Sequence, residues 1–307
     1  MKAADDIAMS SISTPELPVS ATARAFGNPA WIRSWWYLLL ALLILWAPVG
    51  RALLYDWGHN PNYSHGFLIP FAIAYFLWRK RQALRAAAGH PAATGLLLML
   101  FALGAYAVGL LAAEFFLQRC AMLTFFAGVV AFLWGWKCLR WTGFEFTLAF
   151  LAIPLPAILF NALAFPLQLK ASALSAGILR LIGIPVFQQG NILELPRQTL
   201  NVAEACSGIR SLISLISLAL MVAALLPLRR WVRALLALSA IPIAILTNAL
   251  RIAITGVLGR TLGVRYSEGF FHLFSGWLIF LLALCLLWLE ASWLARVRVF
   301  QPRQAQP

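Results

Sequence analysis

The sequence predicts an all-α, polytopic integral membrane protein of about eight transmembrane helices, with a small loop and hairpin region on its outer face. Three observations carry this. The 307 residues are 62% hydrophobic and only 11% charged, with a mean hydropathy of +0.84, too little polar surface for a soluble domain. The apolar runs approach the roughly 20 residues that cross a ~30 Å hydrocarbon core. The basic residues gather at the ends of those runs. The formal charge of +14 is thus expected to orient the chain in a lipid bilayer, with no nucleic-acid partner implied.

Residues 1–34 are rich in Ala, Ser, Thr and Pro and read as a disordered cytoplasmic tail, not as a cleavable signal peptide. The transmembrane domain is expected over 35–292, with spans at 36–54, 67–78, 95–113, 115–136, 145–160, 207–226, 234–254 and 271–289. The second span is short as written and could begin earlier. The third and fourth almost touch at Glu114, which predicts a tight hairpin. Residues 161–183 are apolar but carry Lys170 and Arg180, so an interfacial or re-entrant helix is expected there. In 186–206, Gln188-Gln189-Gly190-Asn191 reads as a turn between short extended pieces. Residues 293–307 form a short, basic cytoplasmic tail.

With the N-terminus inside, every inner segment is basic. They hold Lys2, Arg24, Arg33; Arg79, Lys80, Arg81, Arg85; Lys137, Arg140; Arg229, Arg230, Arg233; and Arg296, Arg298, Arg303. Both termini are then cytoplasmic. This orientation brings three reactive groups to one depth at the outer face: Cys206 at the start of the sixth span, Arg251 near the end of the seventh, and His272 at the start of the eighth.

A thiol, a guanidinium and an imidazole suit peptide-bond cleavage. A helix N-terminus and a nearby cation both lower a cysteine's pKa, which favours the nucleophilic thiolate. His272 is the natural proton carrier. Arg251 suits the oxyanion of a tetrahedral intermediate. Asn248, three residues before Arg251, shares its helix face and could orient it. Arg210, one turn past Cys206, is either its electrostatic partner or an anchor. Glu204 and Glu268 could orient His272 or face water.

Each group also has a plainer reading. Membrane cysteines usually pack, interfacial histidines sit in the aromatic belt, and arginines at helix ends snorkel. Arg251 fits that reading least, because mostly apolar sequence surrounds it and intramembrane charge usually faces a functional interior. Ser207, Ser211 and Ser214 read most simply as a small-residue packing stripe. The segment 55–70 carries Asp56, His59, Tyr63, Ser64 and His65. A substrate-binding or supporting role suits Tyr63 and His65 better than a metal site, for which no ligand spacing exists. The four cysteines, at 120, 138, 206 and 285, have neither CxxC nor metal-finger spacing. No metal and no cofactor are expected.

The blocks Ala203-Glu204-Ala205-Cys206-Ser207-Gly208, then Asn248 to Arg251, then a lone His272 opening the last helix, resemble the exosortase family of bacterial membrane transpeptidases and proteases. The segment 63–70, YSHGFLIP, resembles that family's early signature. The likeness covers about residues 35–290. It implies Cys206 as nucleophile, Arg251 as transition-state stabiliser and His272 as acid/base. Glu204, Ser207, Gly208, Arg210, Asn248, Tyr63 and His65 would support the site or bind substrate. It also implies the substrates: membrane-anchored exported proteins with a C-terminal sorting signal, made of a Pro-Glu-Pro motif, a membrane helix and a basic cluster. They would be cleaved at the periplasmic face of the inner membrane of a Gram-negative bacterium, in a setting of exopolysaccharide and biofilm proteins. With only a short tail after the last span, a short form without an extra C-terminal domain is expected. Two other classes stay open: a transporter with Arg210 and Arg251 lining an anion path, and a polysaccharide ligase or polymerase using outer-face Arg and His.

Overall fold

The computed structural model describes residues 29–196, 198–202, 208–261, 263 and 270–297; the side chains of 29–36, 38, 39, 208–211, 230 and 270–273 are not among those described. The chain divides at Pro48 into two compact units. Of the first, the described part is the opening stretch of helix α1 (Pro29–His59), which starts inside the tail expected to run to residue 34. Everything below concerns the second unit.

After α1 come a 3-10 helix (Pro61–Phe67), α2 (Ile69–Arg79) and α3 (Arg81–Ala87). The 3-10 helix begins at Asn60, whose side chain accepts from the Asn62 N–H, and at Pro61, which pre-sets the first turn. It supplies the earlier start that the short second span needed. Helices α4 (Thr94–Leu111) and α5 (Phe115–Trp141) form the expected hairpin. The Glu114 carboxylate caps α5 by accepting from the Leu117 N–H at 2.8 Å. Gly95 and Gly128 let the two backbones touch: a Cβ on Gly95 would lie 2.4 Å from the Phe132 nitrogen. At Gly135 the backbone leaves helical geometry (φ 82°, ψ 166°), so α5 contains a break.

The expected span at 145–160 is not one helix. Helix α6 (Gly143–Leu151) stops, and α7 (Ala157–Leu181) starts after five intervening residues. Pro154 and Pro156 explain the break: each lacks an N–H and disfavours helical geometry in the residue before it. The 161–183 stretch belongs to α7, which runs on through Pro166. The seventh and eighth expected spans are longer than the apolar runs alone indicate, as α9 (Arg230–Thr261) and α10 (Phe270–Arg296). The sixth is represented by α8 (Gly208–Leu225). The count of eight is not confirmed. Among the described residues, six helices are long and apolar enough to cross a bilayer: Leu40–His59, Thr94–Leu111, Phe115–Trp141, Ala157–Leu181, Trp231–Thr261 and Phe274–Arg296. Leu212–Leu225 is a shorter apolar helix. The architecture remains that of an all-α polytopic membrane protein.

Helix α7 qualifies by length, yet its neighbours show an unusual course. Ala164 and Gln168 lie beside Asn248 of α9. The Ser175 hydroxyl lies 3.0 Å from the Ala249 carbonyl, and Leu179 lies against Gly256. Thus α7 runs in the same direction as α9 and flanks only its second half. Beyond α7, β1 (Phe187–Gln189), β2 (Ile192–Leu195) and β3 (Gln198–Asn201) form an antiparallel three-stranded meander. The expected turn falls at Gly190, whose φ of +63° suits glycine; the third strand was not expected. Leu193, Leu200 and Val202 share a core with Leu179, Ile252 and Ala253, which fixes the sheet against the second half of α9. Helix α8 then packs on α9 through Leu215, Ala219, Val232 and Leu236, joined by Leu287 of α10.

Candidate functional site

The site is built on one face of α9. Thr247, Asn248, Arg251 and Thr255 are all buried, and their i, i+1, i+4, i+8 spacing places them along one stripe. Two of the threonines satisfy themselves within the helix: Thr247 donates to the Ile243 carbonyl at 2.8 Å and Thr255 to the Arg251 carbonyl at 3.0 Å. Arg251 is 5% exposed. Burying a guanidinium beside lipid costs several kcal/mol unless it is well solvated by the protein, so the fold builds a specific seat for it.

Gly276 of α10 forms that seat. A Cβ at this position would lie 2.9 Å from Arg251 Nη2 and 3.1 Å from Cζ. The planar group therefore occupies the space that any other residue would fill. Thr247, Asn248, Arg251, Gly276, Ile279 and Phe280 line a cleft between α9 and α10. His272 precedes Gly276 by four residues, one turn, in the same helix. The helix axis thus brings the His272 backbone one turn beyond the Arg251 head group. Gly276 is the functional position that motif reading passes over. Its signal was a small residue in a run of bulky ones, one turn after the candidate histidine.

Gly276→Ala is therefore expected to displace the guanidinium without unfolding the protein, since the crowded atoms are the end of a long side chain. Stability in detergent should fall by about 1–3 kcal/mol. Any activity that uses Arg251 should fall at least about tenfold. Retention of both would remove Gly276 from the site.

Cys206, Glu204 and Ser207 lie outside the described residues, as do Glu268 and the side chains of Arg210, Ser211 and His272; Gly208 opens α8. Tyr63 and His65 are described, and each makes a long-range contact. Tyr63 is 2% exposed, and its hydroxyl accepts from the Leu155 N–H at 2.9 Å. It thereby clasps the Pro154–Pro156 break, where a backbone donor has lost its helical partner. Nearby, the Trp57 indole donates to the Ala152 carbonyl at 2.8 Å and lies flat on Gly66, where a Cβ would meet it at 2.4 Å. Arg119 pairs with Asp56. Tyr63→Phe is expected to cost about 1–3 kcal/mol of stability, the cost of one orphaned donor, and to leave activity per folded molecule unchanged. A loss of activity without a loss of stability would mean that Tyr63 touches substrate.

His65 links two elements. Its Nε2 lies 3.4 Å from the Leu151 carbonyl and its Nδ1 lies 3.2 Å from the Ser214 hydroxyl of α8. A neutral ring that donates from Nε2 and accepts at Nδ1 satisfies both. Ser214 therefore joins the 63–67 motif to the helix that follows Cys206, which a packing stripe did not anticipate.

A buried guanidinium seated between two helices of a largely helical bundle, with a histidine one turn from its glycine seat, defines a polytopic membrane protein with a polar cleft inside its bundle. The family model described as Transmembrane exosortase (Exosortase_EpsH) matches residues 57–289. The chain belongs to the transmembrane exosortase family. No curated protein and no solved structure matches it.

Proposed function

We propose that this exosortase is a cysteine-dependent peptidase or transpeptidase that cleaves C-terminal sorting signals at the periplasmic face of the inner membrane. The observation that carries the reading is the Arg251 seat: a guanidinium held against Gly276, one turn from His272. The surroundings of Cys206 add support. Four residues before it, Val202 shares a core with Ile252 and Ala253. Six residues after it, Leu212 shares a cleft with Asn248. Both ends of this connection lie beside the turns of α9 that carry Arg251.

The chemistry follows from these roles. His272 takes the Cys206 proton, and the thiolate attacks the scissile carbonyl carbon. Negative charge develops on the carbonyl oxygen, where Arg251 stabilises it. The C–N bond breaks as His272 returns the proton to the leaving amine, which departs with the membrane helix of the signal. A thioester remains on Cys206 until water or an acceptor amine attacks it. Asn248 supports Arg251 from the preceding turn of α9. The substrates are membrane-anchored exported proteins ending in a Pro-Glu-Pro motif, a membrane helix and a basic cluster, and the setting is exopolysaccharide and biofilm protein sorting.

The test is a tagged reporter carrying such a signal, produced in cells with and without this protein and purified for mass measurement. A new C-terminus at the motif, formed only when the protein is present, is expected. Its mass separates the free acid from an amide-linked acceptor. A full-length reporter in both strains would refute the reading.

A further inference from the structure

A second cleft lies on the other side of Asn248. Ala164, Leu167 and Gln168 of α7, Leu212 of α8, and Ile245 and Asn248 of α9 line it. It meets the Arg251 cleft at Ala244 and Asn248, which line both. Its walls are apolar except for two carboxamides, Gln168 and Asn248. Gln168 is half-buried, and no described residue bonds its side chain; its backbone carbonyl accepts from Ser172. In water an unpartnered amide is unremarkable in energy. In an apolar cleft of a membrane protein it carries a desolvation cost of a few kcal/mol that a helix surface would ordinarily avoid.

The position of that amide suggests its use. Asn248 is one turn before Arg251, so the cleft adjoins the proposed oxyanion site on the side toward the start of α9. A peptide must be extended for its scissile carbonyl to be attacked. Extending one that ends in a membrane helix frees the N–H and C=O groups of its first turn, at a depth where water cannot satisfy them. A carboxamide offers one acceptor and two donors, which is the complement of a bare peptide unit.

We propose that the cleft at Gln168 receives a peptide group from the unwound, membrane-side flank of the peptide substrate, the Gln168 carboxamide replacing hydrogen bonds lost when the substrate helix opens. This rests on the peptidase reading above. The occupant is an extended peptide backbone. A lipid chain would gain nothing from the amide.

The test uses full-length protein in membranes with the sorting-signal reporter. A photo-crosslinking amino acid replaces Gln168 in a Cys206→Ala background, which traps bound reporter, and Leu97, 65% exposed on α4, carries the same probe as control. Reporter should crosslink at 168 and not at 97. In parallel, Gln168→Leu, which keeps the volume, should raise KM about tenfold with a smaller change in kcat, and Gln168→Asn should recover part of the loss. Crosslinks at 168 to lipid alone, equal crosslinking at 97, or a wild-type KM in Gln168→Leu would overturn the assignment. Reporter cleavage that survives Cys206→Ala would instead sink the cysteine mechanism, while a specific 168 crosslink would still stand for the peptide cleft.

Discussion

Cys206→Ala is expected to abolish cleavage of the sorting-signal reporter, and Cys206→Ser to leave at most about one part in 10⁴ of wild-type activity, the scale on which removal of an enzymatic nucleophile acts. Serine matches the thiol in shape, so its failure would isolate ionisation as the cause. A thiol close to a helix N-terminus and a guanidinium reaches the thiolate at neutral pH, whereas a hydroxyl there stays protonated. Both substitutions are small and fall two residues before Gly208, where α8 starts, so the bundle should assemble as in the wild type. Size-exclusion profiles and thermal unfolding check that. Wild-type processing by either variant would remove the cysteine from the chemistry.

Arg251→Lys should lower kcat by about 10²–10³, the equivalent of losing one oxyanion donor or roughly 2.7–4 kcal/mol, with KM little changed. Charge is conserved in this exchange, so the effect depends on shape. The glycine seat admits a flat group whose Nη2 reaches within 2.9 Å of a Cβ built on Gly276. A lysine ammonium is a compact point charge with tetrahedral donors and cannot present a planar fork there. It also holds its hydration shell more tightly, so burial at this depth costs it more. Single-turnover cleavage of the reporter separates the two constants. A wild-type kcat would take Arg251 away from the oxyanion and leave it as a packing residue.

Much of the fold was legible because lipid imposes simple rules. The Glu114 hairpin could be located because two apolar runs abut at a capping residue. The turn at Gly190 followed from a polar run that no helix would carry. The break at 152–156 was harder, because Ile153 and Leu155 keep the stretch apolar while the prolines alternate with them, and a hydropathy window averages over backbone chemistry. The parallel course of α7 along α9 was not legible, since it depends on contacts between residues far apart in sequence, such as Ser175 and Ala249, 74 positions apart. At the site, polar residues that interrupt apolar runs identified Arg251 and Asn248. Gly276 and Gln168 carry no such contrast. Gly276 acts through the atoms it lacks, and Gln168 stands among neighbours that permit an interfacial reading.

The long, apolar α9 and α10 have a consequence for how a substrate of the proposed kind arrives. Their candidate membrane spans, Trp231–Thr261 and Phe274–Arg296, hold the Arg251 cleft within the part of the chain able to cross a bilayer. On the proposed function, a substrate anchored by its own helix reaches that cleft while remaining embedded, so its search is confined to two dimensions. Its encounter frequency then scales with surface density in the bilayer and not with concentration in the surrounding fluid. A soluble peptide bearing the same cleavage motif lacks that advantage.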